Sequence, residues 1–556
     1  MDNLSLHEYF EIGGAKESRE SRDNRDNSKN LGKAFDIASW TEREGLVWLK
    51  AESLPQVIED LWLDPKTRPV LLTHVGNDER ELGHGFVLYF VFHFPGDFTL
   101  TLGARGIEEG FPSLSAFCPA LNWPEREVQD LFGLVPEGHP DPRPLVLHPG
   151  WPEGFHPLRK SILMTNTDKP NFQAKPLVFY PAQGEGTFEV PVGPIHAGII
   201  EPGHFRFQTI GETILHVDAQ LFFTHRGIEK LLEGKTIEEG LKIVERVCGV
   251  CTVSHSLAYC EAVEKLAHIE LSREALRWRT VLAELERLYN HVGDIGNLCA
   301  GVGFALGNAN GLQNKEQLQR LNKEVFGHRY LRGMVIPGGV KIQPSEEKIE
   351  FLKERLYELQ ADFEKWIPLI LEHDGFRQRA VTTGVLKNQS ALDLGATGPA
   401  ARASGVVVDW RERHAYLLYP ELQVEPQVET SGDVWARLMV RVREVRQSFE
   451  LLDTLLSGVE EVRGSQDPQV TQSLHVSQVP GRIEPYSFAW GCAESPRGTD
   501  VIWLMTDKEG KIFRCRIRSA SYANWPAVPL AVLGNIIPDF PLINKSFELC
   551  YSCCDR

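Results

Sequence analysis

Two Cys-x-x-Cys pairs stand roughly 300 residues apart: Cys248 and Cys251 in ERVCGVCTVSHSL, and Cys550 and Cys553 in ELCYSCCDR, within the last seven residues. Two intervening residues let both sulfurs of a pair converge on one centre, whereas adjacent cysteines point apart. Gly249 permits the tight backbone path this needs. The segment after the first pair, SHSLAYCEAVEKLA, reads as a helix with Ser254 as its cap. Cys251 is then expected near a helix N-terminus, where the dipole favours the thiolate that binds metal. A chain end is ordinarily frayed, and a metal bond gives this one a reason to be buried. Structural zinc usually draws both pairs from one compact module, with ~15–20 residues between them. Here the site would lie where a large domain closes on itself. Thiolates suit nickel, iron and zinc alike. Spacing alone therefore leaves three readings open: structural zinc, a catalytic soft-metal centre, and unrelated cysteines.

Bulk properties narrow the setting. At ~150 residues per domain, 556 residues make three or four units. A formal charge of −17 and a pI near 5.6 argue against nucleic acid and against direct docking on anionic lipid. The start, MDNLSLHEYFEIGG, lacks the basic and apolar stretches of a secretory signal. No apolar run reaches the ~18 residues of a bilayer span. A cytoplasmic protein is expected, with any membrane link made through partners. Ten cysteines in that compartment point to metal or redox chemistry rather than to a disulfide framework.

The expected fold class is α+β. Residues 1–34 read as a disordered tail, its core the polar tether 14–33. Residues 35–165 read as a small α+β domain. VLLTHVG (70–76) and FVLYFVFHF (86–94) have strand composition, and FTLTLGA (98–104) follows a Pro-Gly-Asp turn as the second arm of a hairpin. WPEREVQDLFGL (123–134) reads as a short helix with Pro124 near its first turn. Residues 166–184, with Pro170, Pro176 and Pro181, read as a linker. Residues 185–556 read as a large, mainly helical domain with a few strands, among them KIFRCRIRS (511–519). In 345–367, Ile349, Leu352, Leu356, Leu359, Phe363 and Trp366 recur at helical steps. Arg273 to Leu298 and Val434 to Leu455 behave similarly. All three are taken as core-facing helix surfaces and not as cofactor boxes.

The residues around the cysteines carry a resemblance. Arg246-Val-Cys248-Gly249-Val-Cys251-Thr-Val-Ser-His255 resembles the first cysteine signature of nickel-iron hydrogenase large subunits, and Cys550-Tyr-Ser-Cys553-Cys-Asp-Arg556 resembles the second. GPIHAGIIEPGHF (193–205), HRGIEKL (225–231) and AESPRG (493–498) are similar to segments of the membrane-linked group 4 enzymes related to respiratory complex I. WPEREVQDLFGL, EGHPDPR and HPLRK are similar to the 30-kDa subunit of complex I, so 35–165 resembles that subunit and 185–556 the hydrogenase large subunit, itself 49-kDa-like. Such a fusion is the arrangement in formate hydrogenlyase. The match covers roughly residues 65–556.

The resemblance implies a catalytic subunit that reduces protons to dihydrogen, reversibly. Cys248 and Cys550 would be terminal nickel ligands, and Cys251 and Cys553 would bridge nickel to an iron carrying carbon monoxide and cyanide. Iron-sulfur clusters are expected in partner subunits and not in this chain. The implied partners are a hydrogenase small subunit with an iron-sulfur cluster, a ferredoxin-like electron-transfer subunit and integral membrane subunits related to complex I. The implied location is peripheral, on the inner face of the cell membrane. A complex I-like quinone-reducing or structural subunit is the second reading, but complex I homologues lack the four ligands. A zinc-stapled scaffold is the third.

Arg497, in Ser-Pro-Arg-Gly, matches the family arginine whose guanidinium hangs over the open metal position. The alternative is an ordinary turn. Glu201 aligns with the glutamate that passes protons from the terminal thiolate, with His204 as competitor and a solvated turn residue as the plain alternative. His255, four residues beyond Cys251, is expected to donate a hydrogen bond to a sulfur, or else to be a core histidine. Asp539 has less support. His196 and the His-Arg-Gly at 225–227 are as readily structural as chemical. Cys118, Cys260, Cys299, Cys492 and Cys515 stand alone and read as small buried apolar residues. Two features depart from the pattern: Glu548-Leu549 replaces the usual Asp-Pro, and Cys554 follows Cys553 directly. Many relatives are clipped at the C-terminus after metal insertion, and Arg556 stands where clipping would leave the chain.

Overall fold

The computed structural model describes residues 3–12, 35–62, 68–162, 171–173, 175–196, 200–457 and 483–556. They fall into two compact units, Met1–Val178 and Phe179–Arg556. The protein is α+β, with a sheet-bearing first unit and a mainly helical second unit.

In the first unit, β1 (Phe35–Trp40), β2 (Glu44–Leu49), β3 (Val70–Asp78), β4 (Phe86–Phe94) and β5 (Phe98–Ile107) form one sheet in the order β1-β2-β5-β4-β3. β4 and β5 are the expected hairpin. Phe94 pairs with Phe98 across a turn in which Gly96 and Asp97 take positive φ. Every residue of β4 is buried, which is why its sequence is a continuous apolar run rather than an alternation. The helix Asn122–Phe132 carries Asp130, whose Oδ2 accepts the backbone N–H groups of Leu145, Val146 and Leu147 at 2.8, 2.7 and 3.1 Å. One buried carboxylate thereby organises the Pro-rich segment that follows.

The expected disordered tail needs correction. Asn3–Ile12 is a helix, and Leu6, Tyr9 and Phe10 are buried, with Phe10 edge-on to Phe35 at 5.4 Å. The 6, 9, 10 spacing is that of an amphipathic helix face. The tether expected at 14–33 lies outside the described residues.

The second unit opens with a three-stranded antiparallel sheet (Thr187–Val192, His204–Ile210, Thr213–Gln220) and closes on another (Phe488–Ser495, Gly498–Thr506, Ile512–Arg518). Between them stand the long helices Thr252–Ala267, Arg273–Ala300, Ala305–Phe326, Glu346–Leu371 and Val434–Ser457. Ile349, Leu352, Leu356, Leu359, Phe363 and Trp366 are all buried, as their spacing predicts. Arg273–Ala300 and Ala305–Phe326 meet at Gly296 and Gly311, where a Cβ on Gly296 would come 2.8 Å from Gly311 Cα. Only glycine lets the two backbones approach so closely.

The strand Ile512–Arg518 is buried along its whole length, arginines included. Glu229, on the short helix Ile228–Leu232, accounts for two of them. It takes Arg514 at 2.8 Å and Arg516 at 3.0 Å, and it takes Arg556 at 3.0 Å. Burial alone would raise the Glu229 carboxyl, but Arg514, then Arg516 and Arg556, hold it well below the usual carboxylate range. A carboxyl depressed in the fold contributes stability above its unfolded value of ~4.3 and loses that contribution as pH falls below it. Glu229→Gln leaves three buried guanidinium groups short of a counter-charge, and breaking a buried ion pair costs about 3–5 kcal/mol. Thermal melts at neutral pH are expected to show a clear drop for this variant, and the gap to the parent is expected to narrow under acid. A gap that widens in acid would contradict the assignment.

Candidate metal centre

The helix after the first cysteine pair starts at Thr252, with Cys251 itself as N-cap, not Ser254. The reason lies on another helix. Glu286 accepts the N–H of Val253 at 2.6 Å, the N–H of Ser254 at 3.0 Å and the Ser254 hydroxyl at 2.9 Å. A carboxylate distant in sequence thus satisfies the free N–H groups of the first turn. Asn290, one turn along from Glu286, donates to the Val250 carbonyl at 2.8 Å and fixes the loop between the cysteines.

Both pairs build the same small loop. The Cys251 N–H donates to Cys248 Sγ at 3.2 Å, and the Cys553 N–H donates to Cys550 Sγ at 3.4 Å. The two loops face each other. The sulfurs of Cys248, Cys251 and Cys553 all lie within 4.8 Å of one another, and the Cys550 thiol is in contact with those of Cys248 and Cys553. Cys248, Cys251 and Cys553 are buried, and Cys550 is partly exposed. Cys554 is buried too but does not belong to the close group of sulfurs. The five lone cysteines are all buried.

The end of the chain is held by the His-Arg-Gly segment. Arg226 Nη2 donates to the Val247 carbonyl and to the Ser552 carbonyl, both at 2.9 Å. Each carbonyl directly precedes a cysteine, so one guanidinium ties the two loops together. The Arg226 N–H donates to the Arg556 carbonyl at 2.6 Å, and His225 Nδ1 donates to the Asp555 carbonyl at 2.6 Å. Asp555 in turn accepts from Phe222 N–H at 2.8 Å and from the Thr224 N–H and hydroxyl at 3.0 and 2.8 Å.

The thiols do not ionise alike. Contact with Cys248, then with Cys553, pulls Cys251 below the usual thiol value. Burial, then the Cys251 thiol, pushes Cys248 up. Cys248 and burial push Cys550 up to about 12. Burial, then the other three cysteines, drives Cys553 well above the usual value. Four converging thiols, one of them held below the usual thiol value, are a donor set that accumulates negative charge only against a cation, so the residues present fit a soft metal.

One fixed cation already stands beside them. Arg497 is buried; its Nη2 donates to Asp294 Oδ1 at 2.8 Å and its Nε to the Glu548 carbonyl at 2.9 Å. Its Nη1 is buried without a hydrogen-bond partner. Burial would lower the guanidinium, but Asp294, then Cys251, Glu548 and Cys550, raise it above its ordinary value. The departure at Glu548 is accommodated. Glu548 ends the helix Phe540–Phe547 in the left-handed region at φ 52°, and Asn297 Nδ2 donates to its carboxylate at 2.7 Å. Burial, then Asp294, pushes that carboxyl up to about 7.

The other expected residues divide. Glu201 reaches the terminal loop, where it accepts the hydroxyl of Ser552 between the two cysteines. His204 instead bonds the Gly193 carbonyl at 3.2 Å, and burial lowers its imidazole. His255 makes no hydrogen bond to a sulfur. It is fully buried, both ring nitrogens lack hydrogen-bond partners, and Nε2 lies 3.7 Å from Asp500 Oδ2. The expected sulfur contact fails because the imidazole lies in the core beside Asp500. Asp539 pairs with Arg379 at 2.6 Å. The reading of Arg273–Leu298 as core surface alone also needs correction, since Glu286, Asn290, Asp294 and Asn297 put one polar stripe of that helix at the site. Their spacing of four, four and three residues was the available signal.

Comparison with known proteins agrees with this architecture. The respiratory-chain NADH dehydrogenase 30 Kd subunit family matches residues 47–168, the nickel-dependent hydrogenase family residues 226–300, and the respiratory-chain NADH dehydrogenase 49 Kd subunit family residues 302–556. Formate hydrogenlyase subunit 5 of Escherichia coli (strain K12) is 34% identical over 94% of this chain and 91% of its own length. Hydrogenase-4 component G of the same organism is 34% identical over 94% of this chain and 90% of its own length. An NADH-quinone oxidoreductase subunit of Proteus mirabilis (strain HI4320) is 27% identical over 92% of this chain and 92% of its own length. A 30-kDa-like unit joined to a large subunit bearing both cysteine signatures, with relatives of this coverage, places the chain in the family of group 4 nickel-iron hydrogenase large subunits of the formate hydrogenlyase type.

Proposed function

We propose that this chain is the catalytic subunit of a membrane-associated nickel-iron hydrogenase that reduces protons to dihydrogen, reversibly, within a formate hydrogenlyase-like complex. The observation that carries the reading is the convergence of Cys248, Cys251, Cys550 and Cys553 beside the buried Arg497 guanidinium. The second reading, a complex I-like quinone-reducing or structural subunit without a metal site, leaves those converging thiols without a role.

Cys248, Cys251, Cys550 and Cys553 are the residues that would hold a nickel-iron centre, its iron carrying carbon monoxide and cyanide as the resemblance implies. When bound, the nickel-iron centre supplies the redox chemistry that interconverts two protons and two electrons with dihydrogen. The chain's own residues supply the rest. Arg497 holds a fixed positive charge next to the thiolates, and Asp294 and the Glu548 carbonyl keep it from turning. Glu201 has Oε1 engaged by Ser552, and its other carboxylate oxygen can carry a proton between the terminal loop and solvent. Among the described residues no helix is long and apolar enough to cross a membrane, so the membrane link is assigned to integral partners related to complex I. Electrons are assigned to a small subunit with an iron-sulfur cluster and a ferredoxin-like subunit. The assigned place is the inner face of the cell membrane.

Metal analysis with infrared spectroscopy of the purified complex is expected to find nickel and iron together with sharp bands from bound carbon monoxide and cyanide; zinc alone would sink the reading. Cys550→Ser is expected to abolish hydrogen evolution, and full activity in that variant would rule out the ligand assignment. Glu201→Gln is expected to slow turnover roughly a hundredfold, the lower end of a general acid–base contribution, while nickel content stays at the parent level. Loss of nickel in that variant would make Glu201 structural. Arg226→Ala keeps all four thiols but cuts the tie between their loops. It is expected to lower nickel per chain severalfold, and unchanged nickel would show that the remaining contacts suffice.

A further inference from the structure

The group that places Arg497 has a second side. Asp294 spends Oδ1 on the guanidinium. Its Oδ2 faces His291 Nδ1 at 3.8 Å and Arg441 Nε at 3.6 Å. All three atoms are buried and without a hydrogen-bond partner, and both separations exceed direct hydrogen-bond range. Buried polar atoms are paired as a rule. A buried carboxylate oxygen flanked by two polar nitrogens just beyond direct hydrogen-bond range, all three unpaired, is the kind of surrounding that an internal water satisfies, since such a water takes roughly two to four polar partners.

His291 is itself held in place. Its Nε2 donates to Glu444 Oε2 at 2.7 Å, and Arg402 Nη2 takes Glu444 Oε1 at 2.7 Å. Arg402 Nη1 then takes Glu494 Oε1 at 2.8 Å. Glu494 stands three residues before Arg497, so the network leaves the Arg497 turn through Asp294 and returns to it through Glu494. Burial would raise the Glu444 carboxyl, but Arg402 and then His291 keep it well below the usual range. A carboxylate gripped on both oxygens in this way orients its neighbours. Arg441 is anchored as well, through the carbonyls of Ser546 at 2.6 Å and Phe547 at 3.1 Å, at the end of the helix that leads into the terminal cysteines.

We propose that His291 is a positioning residue for Arg497, acting through Asp294 and one ordered water bound by His291 Nδ1, Asp294 Oδ2 and Arg441 Nε. Its effect on turnover rests on the hydrogenase reading; the water and the guanidinium orientation do not.

Two substitutions separate the arms of the imidazole. Glutamine places a donor near Nε2, so His291→Gln keeps the Glu444 bond and loses the Nδ1 arm. Asparagine places its amide near Nδ1, so His291→Asn does the reverse. A structure of the assembled complex at about 1.5 Å is expected to show a water within hydrogen-bond range, about 2.7–3.2 Å, of all three atoms. In His291→Gln the water is expected to be lost and Arg497 to turn away from Asp294. Turnover is expected to fall about tenfold with nickel content unchanged, while His291→Asn keeps most of it. In an Arg497→Lys background His291→Gln is expected to cause no further loss, because the two act on one step. A direct His291–Asp294 hydrogen bond without water, an unmoved Arg497, or a loss that multiplies in the Arg497→Lys background each overturns the proposal. So does failure of both single variants to yield folded protein, which assigns His291 to the core alone. A parent complex that evolves no hydrogen fails the hydrogenase reading, and the structural comparison then decides the positioning role by itself.

Discussion

The structure of the second unit depends on one constraint: the last seven residues must return to the loop at Cys248 and stay there. Here the ties are hydrogen bonds and an ion pair, made largely by side chains, that do not involve the thiols. Arg226 spans the carbonyls before Cys248 and Cys553, and Asp555 is gripped by Phe222 and Thr224. Arg556 is buried against Glu229. The two cysteine loops are therefore brought face to face by groups outside the sulfur cluster, and a metal entering it would meet donors already gathered.

Gathering four thiols has an electrostatic cost that the surroundings offset. Burial and the neighbouring thiols together push three of the four up, while Cys251 is drawn below the usual thiol value. Arg497 is the nearby positive charge, and burying a guanidinium requires partners of its own. Asp294 is the first of these. Asp294 then needs fixing, and His291, Glu444, Arg402 and Glu494 supply a run of ion pairs that returns to the Arg497 turn. The dense charge of the helices Arg273–Ala300 and Val434–Ser457, uncommon for buried helix faces, follows from that requirement.

The α+β class, the 86–104 hairpin, the helix near Pro124, the apolar stripe from Ile349 to Trp366 and the four cysteines were legible because each is a local pattern: a period, a turn residue or a spacing. The failures were equally local. Ser254 has the chemistry of a cap, but Glu286 takes over that role from 32 residues away in sequence. Counting four residues from Cys251 puts His255 at a sulfur, while its ring sits beside Asp500. Leu6, Tyr9 and Phe10 carried a short amphipathic signal that the polar stretch after them obscured.

Which atoms can bind metal, and which segments have the composition of helix and strand, follow from side-chain chemistry and short-range periodicity and are readable residue by residue. Which polar groups surround the cysteine loops is set by tertiary packing. Glu286, Asn290, Asp294 and Asn297 share a helix face, but a helix has many polar faces, and nothing in its own sequence says which will meet a loop about 250 residues away. That choice is made by packing: the close approach of backbones at Gly296 and Gly311 sets the tilt of the helix, and the anchored chain end sets what its polar stripe touches.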